Sequence, residues 1–240
     1  GHTSLLDCAR KQCDWLVCSI FVNPLQFSLT EDLDLYPSDF EGDKQKCQAH
    51  GVDALFCPPE LYQQDHSSYL RVEKLSQGLC GSDRPSHFEG VTTVVARLFG
   101  IVQPDLAVFG QKDYQQLAII RRMVRDFAMP VKIIGAPLVR EESGLALSSR
   151  NRYLSSENKR RALSLSKTLQ EIQRLFKNEN ITNCAQLKKL AGNLLDVDQL
   201  DYLEIVNSDS LDHLETITTT ARALVAAKLG STRLIDNLEI

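Results

Sequence analysis

The order of apolar patterns along residues 1–137 is the feature that most constrains the fold of this chain. Short, continuously apolar runs occupy residues 15–22, 52–57, 105–109 and 131–134, and such runs predict strands buried on both faces. Between them, amphipathic patterns predict helices at residues 39–50, 87–102 and 115–127. This alternation of strands and helices indicates an α/β fold, in which a parallel sheet is covered by helices.

The pattern changes after Pro137. The later part of the chain predicts two helices, at residues 155–177 and 184–195, and two strands, at residues 202–206 and 223–227. These elements indicate a smaller α+β domain. The expected division is a first domain at residues 1–137, a hinge at residues 138–146 and a second domain at residues 147–240.

Composition restricts the class of protein. The 240 residues are 43% hydrophobic and 24% charged, which is ordinary for a globular protein with a sizeable core. The net charge of -4 argues against a general binder of nucleic acid or of an anionic membrane. No apolar run approaches the roughly 20 residues of a membrane span. We therefore expect neither nucleic acid nor a membrane as a partner.

The cysteines predict free thiols. The chain has seven cysteines with no C-x-x-C pair, and this argues against both a disulfide framework and a thiolate zinc site. A reducing, cytoplasmic location fits this usage best.

Two polar clusters follow predicted strands. Asn23 to Gln26 come after the run 15–22, and Gly110, Gln111, Lys112 and Asp113 come after the run 105–109. In open parallel sheets, ligands bind outside the carboxyl ends of the strands. Glycine allows close backbone approach, and the N–H groups at the start of the next helix favour anions. The second cluster thus predicts a phosphate site; alternatively, Gly110 makes a tight turn and Asp113 caps the helix.

Other polar residues lie at predicted helix starts. Arg84 and His87 directly precede one helix, and His2 lies at the start of another that we expect to be capped by Thr3 or Ser4. At such a position His2 could reach an anion held by backbone amides. Each of these residues could equally be a cap or an ordinary surface residue.

The stretch GLALSSRNRYL at residues 144–154 is rich in hydrogen-bond donors. Arginine donates in a planar fork that suits phosphate, so Ser148, Ser149 and Arg150 together predict a loop that binds a polyphosphate. The alternative is a hydrated connection between domains, with Ser155 as the cap of the next helix.

Several motifs closely resemble the pantoate–beta-alanine ligase (pantothenate synthetase) family. They are GHTSL (1–5), SIFVNPLQF (19–27), DLDLYP (32–37), LCGSDRPSHFEGV (79–91), GQKDYQQLAIIRRMV (110–124), GLALSSRNRYLS (144–155) and GSTRLIDN (230–237). The resemblance implies a Rossmann-like nucleotidylyltransferase domain and a smaller C-terminal domain that closes over ATP. It also implies that ATP activates pantoate as an enzyme-bound adenylate, which beta-alanine attacks to give pantothenate and AMP. Mg²⁺ and a homodimer are implied with it.

The resemblance also implies roles for individual residues. His2 matches the second histidine of the family's H-x-G-H signature, and we expect it to act in catalysis with Lys112 and Arg150. The residues expected to bind ATP are Gly1, His2, Gly110, Gln111, Lys112, Asp113, Val139, Leu147, Ser148, Ser149 and Arg150. Those expected to bind pantoate or beta-alanine are Asn23, Gln26, Arg84, His87 and Gln116. Asp113 is the expected magnesium ligand, and Gln111 stands where the family usually has Glu.

Three alternatives stay open at this point. A sister nucleotidylyltransferase would share His2 and the Ser-Ser-Arg loop but would lack the paired Gln26 and Gln116. A fragment of an aminoacyl-tRNA synthetase would need a basic surface, which the acidic balance does not offer. An inactive binding module is the third alternative.

The first histidine of H-x-G-H and the strand before it precede Gly1 in the family pattern. The first strand of a doubly wound sheet usually lies in its middle. We therefore expect the native gene product to extend upstream by one strand and one helix, about 30 to 40 residues.

Overall fold

The structure, a computed structural model, describes residues 1–26 and 39–240, so Phe27 and the DLDLYP motif lie outside the described residues. These residues form two compact units. The first unit contains residues 2–111 and 115–136, and the second contains Gly1 with residues 112–114 and 137–240.

The first unit alternates helices and strands. The elements are α1 (His2–Arg10), β1 (Val17–Ser19), α2 (Phe40–Ala49), β2 (Ala54–Phe56), α3 (Cys80–Asp83), α4 (His87–Val102), β3 (Leu106–Gly110), α5 (Tyr114–Asp126) and β4 (Lys132–Ala136). Short 3-10 helices at Pro24–Gln26 and Gln111–Asp113 follow β1 and β3. The core is densest along α5, where Ile119, Ile120 and Met123 are fully buried. This burial is the expected result of the amphipathic pattern at residues 115–127.

The strands of the first unit pair in parallel, which confirms the predicted α/β class. Val17 pairs with Ala54 in β1–β2, and Leu106 pairs with Lys132 in β3–β4. Within the described ranges these are two separate pairs, and most of their strand residues are half-buried rather than fully buried.

Two local predictions in the first unit were wrong. The first strand covers only Val17–Ser19, and Trp15 is 67% exposed, because the ladder with β2 extends over three residue pairs and Trp15 lies before it. The first helix begins at His2, so Thr3 and Ser4 lie inside its first turn instead of capping it. None of the helices in the described ranges is long and apolar enough to cross a membrane.

The second unit packs two helices on an antiparallel sheet. After a 3-10 helix at Ser149–Tyr153, its elements are α6 (Ser156–Glu179), α7 (Cys184–Gly192), β5 (Gln199–Asn207), β6 (Ala221–Leu229) and β7 (Thr232–Glu239). The strand order is β5-β6-β7. Ser155 caps α6, since its side chain accepts a hydrogen bond from Asn158 N at 3.1 Å. Leu169, Ile172 and Leu187 of the helices are fully buried against β5 and β6.

The predicted strands 202–206 and 223–227 lie within β5 and β6, and the smaller α+β unit is confirmed. The strand β7 was not predicted. Its apolar residues are interrupted by Arg233, Asp236 and Asn237, although Asp236 and Asn237 are buried. A tight turn precedes β7, and Gly230 supplies the left-handed conformation there with φ of 59°.

Candidate functional site

The side chain of Asn23, in the turn after β1, forms hydrogen bonds through both its amide nitrogen and its amide oxygen. Asn23 is 2% exposed. Its Nδ2 donates to the carbonyl of Gly90 at 3.0 Å, and its Oδ1 accepts from the hydroxyl of Tyr62 at 2.9 Å and from Leu25 N at 3.3 Å. A buried amide with its donor and acceptor both used has one orientation, so this turn is rigid.

Gln26 is fixed through its backbone. The Nδ1 atom of His87 lies 2.9 Å from the carbonyl oxygen of Gln26, which can only accept, so Nδ1 carries the proton. Nη1 of Arg84 lies 3.3 Å from Nε2 of His87, and Nη2 donates to the same Gln26 carbonyl at 3.3 Å. In this geometry Arg84 and His87 hold the segment that carries Gln26.

Gly90 allows the turn to lie against the first turns of α4. A Cβ atom at residue 90 would be 2.2 Å from the carbonyl oxygen of Leu25 and 2.6 Å from Gln26 N. Those atoms are backbone and cannot rotate away, so only glycine permits this approach. The structure thus brings together four of the residues predicted for pantoate or beta-alanine, namely Asn23, Gln26, Arg84 and His87.

Tyr62 belongs to this cluster, although the sequence did not point to it. Its ring packs against Phe21 and His66, with ring centroids 6.2 Å and 4.7 Å away, and the guanidinium of Arg97 lies 5.8 Å from its centroid. Burial raises the pKa of Tyr62 to about 12, so its hydroxyl stays protonated and donates to Asn23. Tyr62 is 39 positions from Asn23, and no local pattern relates the two.

The adjacent residues Gln115 and Gln116 differ in their surroundings. Gln115 is 4% exposed, and its Nε2 donates to the carbonyls of Leu75 at 2.9 Å and Gly78 at 2.7 Å. Its Oε1 accepts from Cys80 N at 3.0 Å. The amide of Gln115 is therefore used structurally, whereas Gln116 is partly exposed at the start of α5 and stays a candidate for ligand binding.

The ATP residues predicted in the first unit lie at strand and helix ends. Gly110 is the last residue of β3, and Nε2 of Gln111 lies 3.4 Å from the carbonyl of Gly135 on β4. His2 is exposed at the start of α1, a helix that packs against β3 and β4. All three residues therefore lie where anions are favoured: at the carboxyl end of a strand or the N-terminus of a helix.

Lys112 and its neighbours are anchored within the second unit. Nδ2 of Asn237 donates to the carbonyl of Lys112 at 2.9 Å. The hydroxyl of Tyr114 donates to the carbonyl of Ser208 at 2.9 Å, and the guanidinium of Arg222 lies 3.9 Å from the centroid of the Tyr114 ring. Asp113, between them, is exposed.

Residues 139–147 form a small hairpin. Leu147 N donates to the carbonyl of Val139 at 2.9 Å, and Arg140 and Ala146 form an antiparallel bridge. A Cβ atom at Gly1 would be 3.9 Å from the carbonyl oxygen of Leu147. Three of the predicted ATP residues, Gly1, Val139 and Leu147, are therefore neighbours.

The donor-rich loop that follows is supported by Asn151. Asn151 is 5% exposed, and its Nδ2 donates to Oε1 of Glu141 at 2.8 Å and to the carbonyl of Ala146 at 3.0 Å. The side chain of Ser148 accepts from Arg150 N at 3.2 Å, while Ser149 and Arg150 are exposed. The exposed Arg150 offers its guanidinium to solvent, where an anionic ligand could reach it. The role of Asn151 was not predicted, because the sequence marks the donors that could reach an anion and not the residue that supports them.

Three of the seven thiols are poor nucleophiles. All seven cysteines lie in the described ranges and are free thiols there. Burial raises the pKa of Cys18 to about 12, and burial also raises the pKa of Cys57 and Cys184. Since the thiolate is the reactive form, these three groups are unsuited to covalent catalysis at neutral pH.

The sequence also matches known proteins. The family model described as Pantoate-beta-alanine ligase matches residues 1–239. Pantothenate synthetase of Maridesulfovibrio salexigens is 48% identical over 246 residues, which cover 100% of this chain and 87% of that protein. Pantothenate synthetase of Sulfurihydrogenibium sp. is 46% identical over 245 residues, with the same coverage of 100% and 87%.

Solved structures are similar as well. A crystal structure of pantothenate synthetase from Thermus thermophilus has a TM-score of 0.95 and 44% identity, and covers 100% of this chain and 88% of that one. A pantoate-beta-alanine ligase from Francisella tularensis, complexed with beta-gamma ATP and beta-alanine, has a TM-score of 0.73 and 32% identity, with coverage of 100% and 84%.

Proposed function

Because the chain belongs to the pantoate–beta-alanine ligase family, we propose that the residues described above carry out its reaction. The chain is an ATP-dependent ligase that makes pantothenate from pantoate and beta-alanine. The observation that carries this conclusion is the family match over residues 1–239, together with relatives that are 46% and 48% identical along the chain.

The reaction proceeds in two steps in this proposal. The carboxylate of pantoate attacks the α-phosphorus of ATP, and pyrophosphate leaves, which gives pantoyl adenylate. The amine of beta-alanine then attacks the acyl carbon, and AMP leaves. No protein nucleophile is required, so the chain has to position the reactants and neutralise phosphate charge.

The amides of Gln26 and Gln116 are proposed to hold pantoate. Neutral amides orient the hydroxyls and carboxylate of a small acid without an ion pair, which would lower the nucleophilicity of that carboxylate. Asn23 is 2% exposed and Tyr62 donates to it, so Asn23 supports the turn that presents Gln26. Arg84 and His87 support the same turn through the Gln26 carbonyl.

The phosphates are assigned to cationic and donor groups. Lys112 and Arg150 are proposed to neutralise charge in the transition state. His2 is proposed to contact the phosphates and to donate a proton. Ser148 and Ser149 supply hydroxyl donors. Gly110 and Gln111 contribute backbone that can approach the phosphates closely. Val139, Leu147 and Gly1 are assigned to the nucleotide, with Val139 beside the adenine.

Magnesium is proposed to arrive with ATP. In the described part of the chain, no three His, Cys, Asp or Glu side chains are grouped so as to hold a metal ion. Mg²⁺ at nucleotide sites is commonly held by one or two carboxylates and by substrate phosphates. The exposed carboxylate of Asp113 fits that arrangement as a single protein ligand. Bound there, the ion would neutralise phosphate charge.

Three further properties belong to this proposal. The second domain acts as a lid over ATP, and the hairpin 139–147 belongs to that lid because Arg140 is bound to Asp236 of β7. An ATP-dependent change in protease sensitivity of the loop 147–153 would test this. The chain forms a homodimer, which light scattering in solution would test.

A reducing, cytoplasmic location is supported by the seven free thiols, and imaging of the tagged native protein would test it.

The decisive experiment measures AMP release by the purified chain. We expect release that requires pantoate, beta-alanine and ATP together, while pantoate and ATP alone support isotope exchange between pyrophosphate and ATP. AMP release without pantoate, or exchange stimulated equally by other acids, would contradict the assignment of the substrate.

A further inference from the structure

We propose that Asn237 of β7 is a positioning residue for Lys112. This inference rests on the charge-neutralising role proposed for Lys112 above. Asn237 is 3% exposed, and its Nδ2 donates to the backbone carbonyl of Lys112 at 2.9 Å. The two residues are 125 positions apart, and both belong to the second unit.

The amide of Asn237 has one possible orientation. Its Oδ1 accepts from Nη1 of Arg222 at 2.8 Å, and a guanidinium can only donate, so Nδ2 is the atom that faces Lys112. Arg222 is itself 5% exposed and is held by Oε2 of Glu239 at 2.8 Å. The backbone N of Asn237 donates to Oδ1 of Asp236 at 2.7 Å. The donor that meets the Lys112 carbonyl is therefore oriented by the buried guanidinium of Arg222.

The segment that carries Lys112 needs an external anchor. It is a 3-10 helix of three residues, Gln111–Asp113, and none of the three is buried. Short 3-10 helices have poorer hydrogen-bond geometry than α-helices. The hydrogen bond from Asn237 therefore supports the backbone from which the flexible lysine side chain extends.

Small displacements of such a group have large effects on rate. A shift of about 1 Å in a positioning group can slow a reaction by about 10²-fold. Asn237→Asp keeps the shape of the side chain and an acceptor for Arg222, but it places a carboxylate oxygen against the Lys112 carbonyl. Two acceptors repel each other, so the backbone of Lys112 moves away.

The test is a double-mutant cycle on pantoyl-adenylate formation in a single turnover. We expect Asn237→Asp to slow this step about tenfold or more, in line with a displacement below about 1 Å. In the Lys112→Ala background, Asn237→Asp should slow the step by a clearly smaller factor than in wild type, because the part of its effect that acts through Lys112 is absent and only the shift of Asp113 in the same segment remains. A purely structural role would slow both backgrounds equally.

Controls separate this inference from the proposed function. Asn207→Asp makes the same chemical change on β5, where the Asn207 side chain donates to Thr219 Oγ1 at 3.2 Å, and should leave the rate unchanged. If Lys112→Ala alone is nearly as fast as wild type, the role of Lys112 is wrong. If Lys112→Ala is slow but Asn237→Asp is normal, or slows both backgrounds equally, the positioning role is wrong. Asn237→Ser, which adds no charge, provides the same cycle if Asn237→Asp does not fold.

Discussion

Arg140 and Asp236 form a two-pronged ion pair that holds the hairpin 139–147 to strand β7. Nη1 of Arg140 lies 2.7 Å from Oδ2 of Asp236, and Nη2 lies 2.9 Å from Oδ1. The carboxylate is 3% exposed, and the guanidinium also donates to the carbonyl of Gly144 at 3.1 Å. The pair therefore fixes the chain immediately before the loop Ser148–Arg150.

Asp236→Asn should lower the free energy of unfolding by about 3 kcal/mol, because it leaves the arginine charge without a carboxylate in a nearly buried position. Urea denaturation monitored by circular dichroism measures this difference. Asp209→Asn, at an exposed position in the same unit, should change stability by less than about 0.5 kcal/mol. Equal effects for the two variants would mean that the pair adds no stability.

Lys112→Ala should slow pantoyl-adenylate formation by about 10²-fold, because one charge-stabilising donor is commonly worth a few kcal/mol in such a site. Rapid-quench measurement of a single turnover gives this rate directly. Lys177→Ala removes an exposed charge at the end of α6 and should have no effect. A nearly normal adenylation rate in Lys112→Ala would remove this residue from the mechanism.

Tyr62→Phe should raise the KM for pantoate about tenfold with little change in the KM for ATP. The variant removes one of the two donors to Oδ1 of Asn23 and leaves Leu25 N as the other, and the loss of one such hydrogen bond costs about 0.5 to 1.5 kcal/mol. Steady-state kinetics with each substrate varied will separate the two KM values. Tyr69→Phe, which alters a ring that is 53% exposed, serves as the matched control. Equal increases in both KM values would indicate a general loss of structure.

The stability contributed by Asp198 should disappear in acid. Its carboxylate accepts from Gly230 N at 2.6 Å and from Nη2 of Arg161 at 2.7 Å, and these contacts hold the pKa of Asp198 below its usual value. A lowered folded-state pKa gives stability that is complete above the unfolded pKa of about 4 and is lost as the pH falls through the folded-state pKa. The melting temperature of wild type should therefore exceed that of Asp198→Asn at about pH 7, with a difference that shrinks below about pH 4. A difference that stays constant down to about pH 3 would contradict this linkage.

Much of the fold follows from local patterns. Runs of apolar residues predicted the parallel strands, and the change of pattern after Pro137 predicted the smaller α+β unit. Trp15 shows the limit of that reasoning, because an apolar residue next to a strand need not be buried. Strand β7 was missed for the opposite reason: Asp236 and Asn237 are polar but buried, and only their tertiary partners make that possible.

The site residues also fall into a group that the sequence could predict and a group that it could not. The places of Asn23 and Gln26 after β1 and of Gly110 at the end of β3 could be predicted, because the apolar runs mark where those strands lie. Tyr62, Asn151 and Asn237 could not, since each acts through a hydrogen bond to a residue that the chain pattern does not relate to it. Such supporting residues can be identified only once the packing of the helices and strands is known, and amino-acid composition does not reveal that packing.

The amide of Gln115 has a consequence for the kinetics of folding. Its bonds to Leu75 and Gly78 join positions 40 and 37 residues apart. Contacts of this separation require closure of a long loop, whose entropic cost must be met before the contact stabilises anything. Helix α5 is built from local contacts, whereas its link to the segment around Leu75 requires that loop to close. The two neighbouring glutamines therefore differ in the loop closure that their contacts require: the side chain of Gln115 bonds to a residue 40 positions away, whereas Gln116 lies in a helix of local contacts.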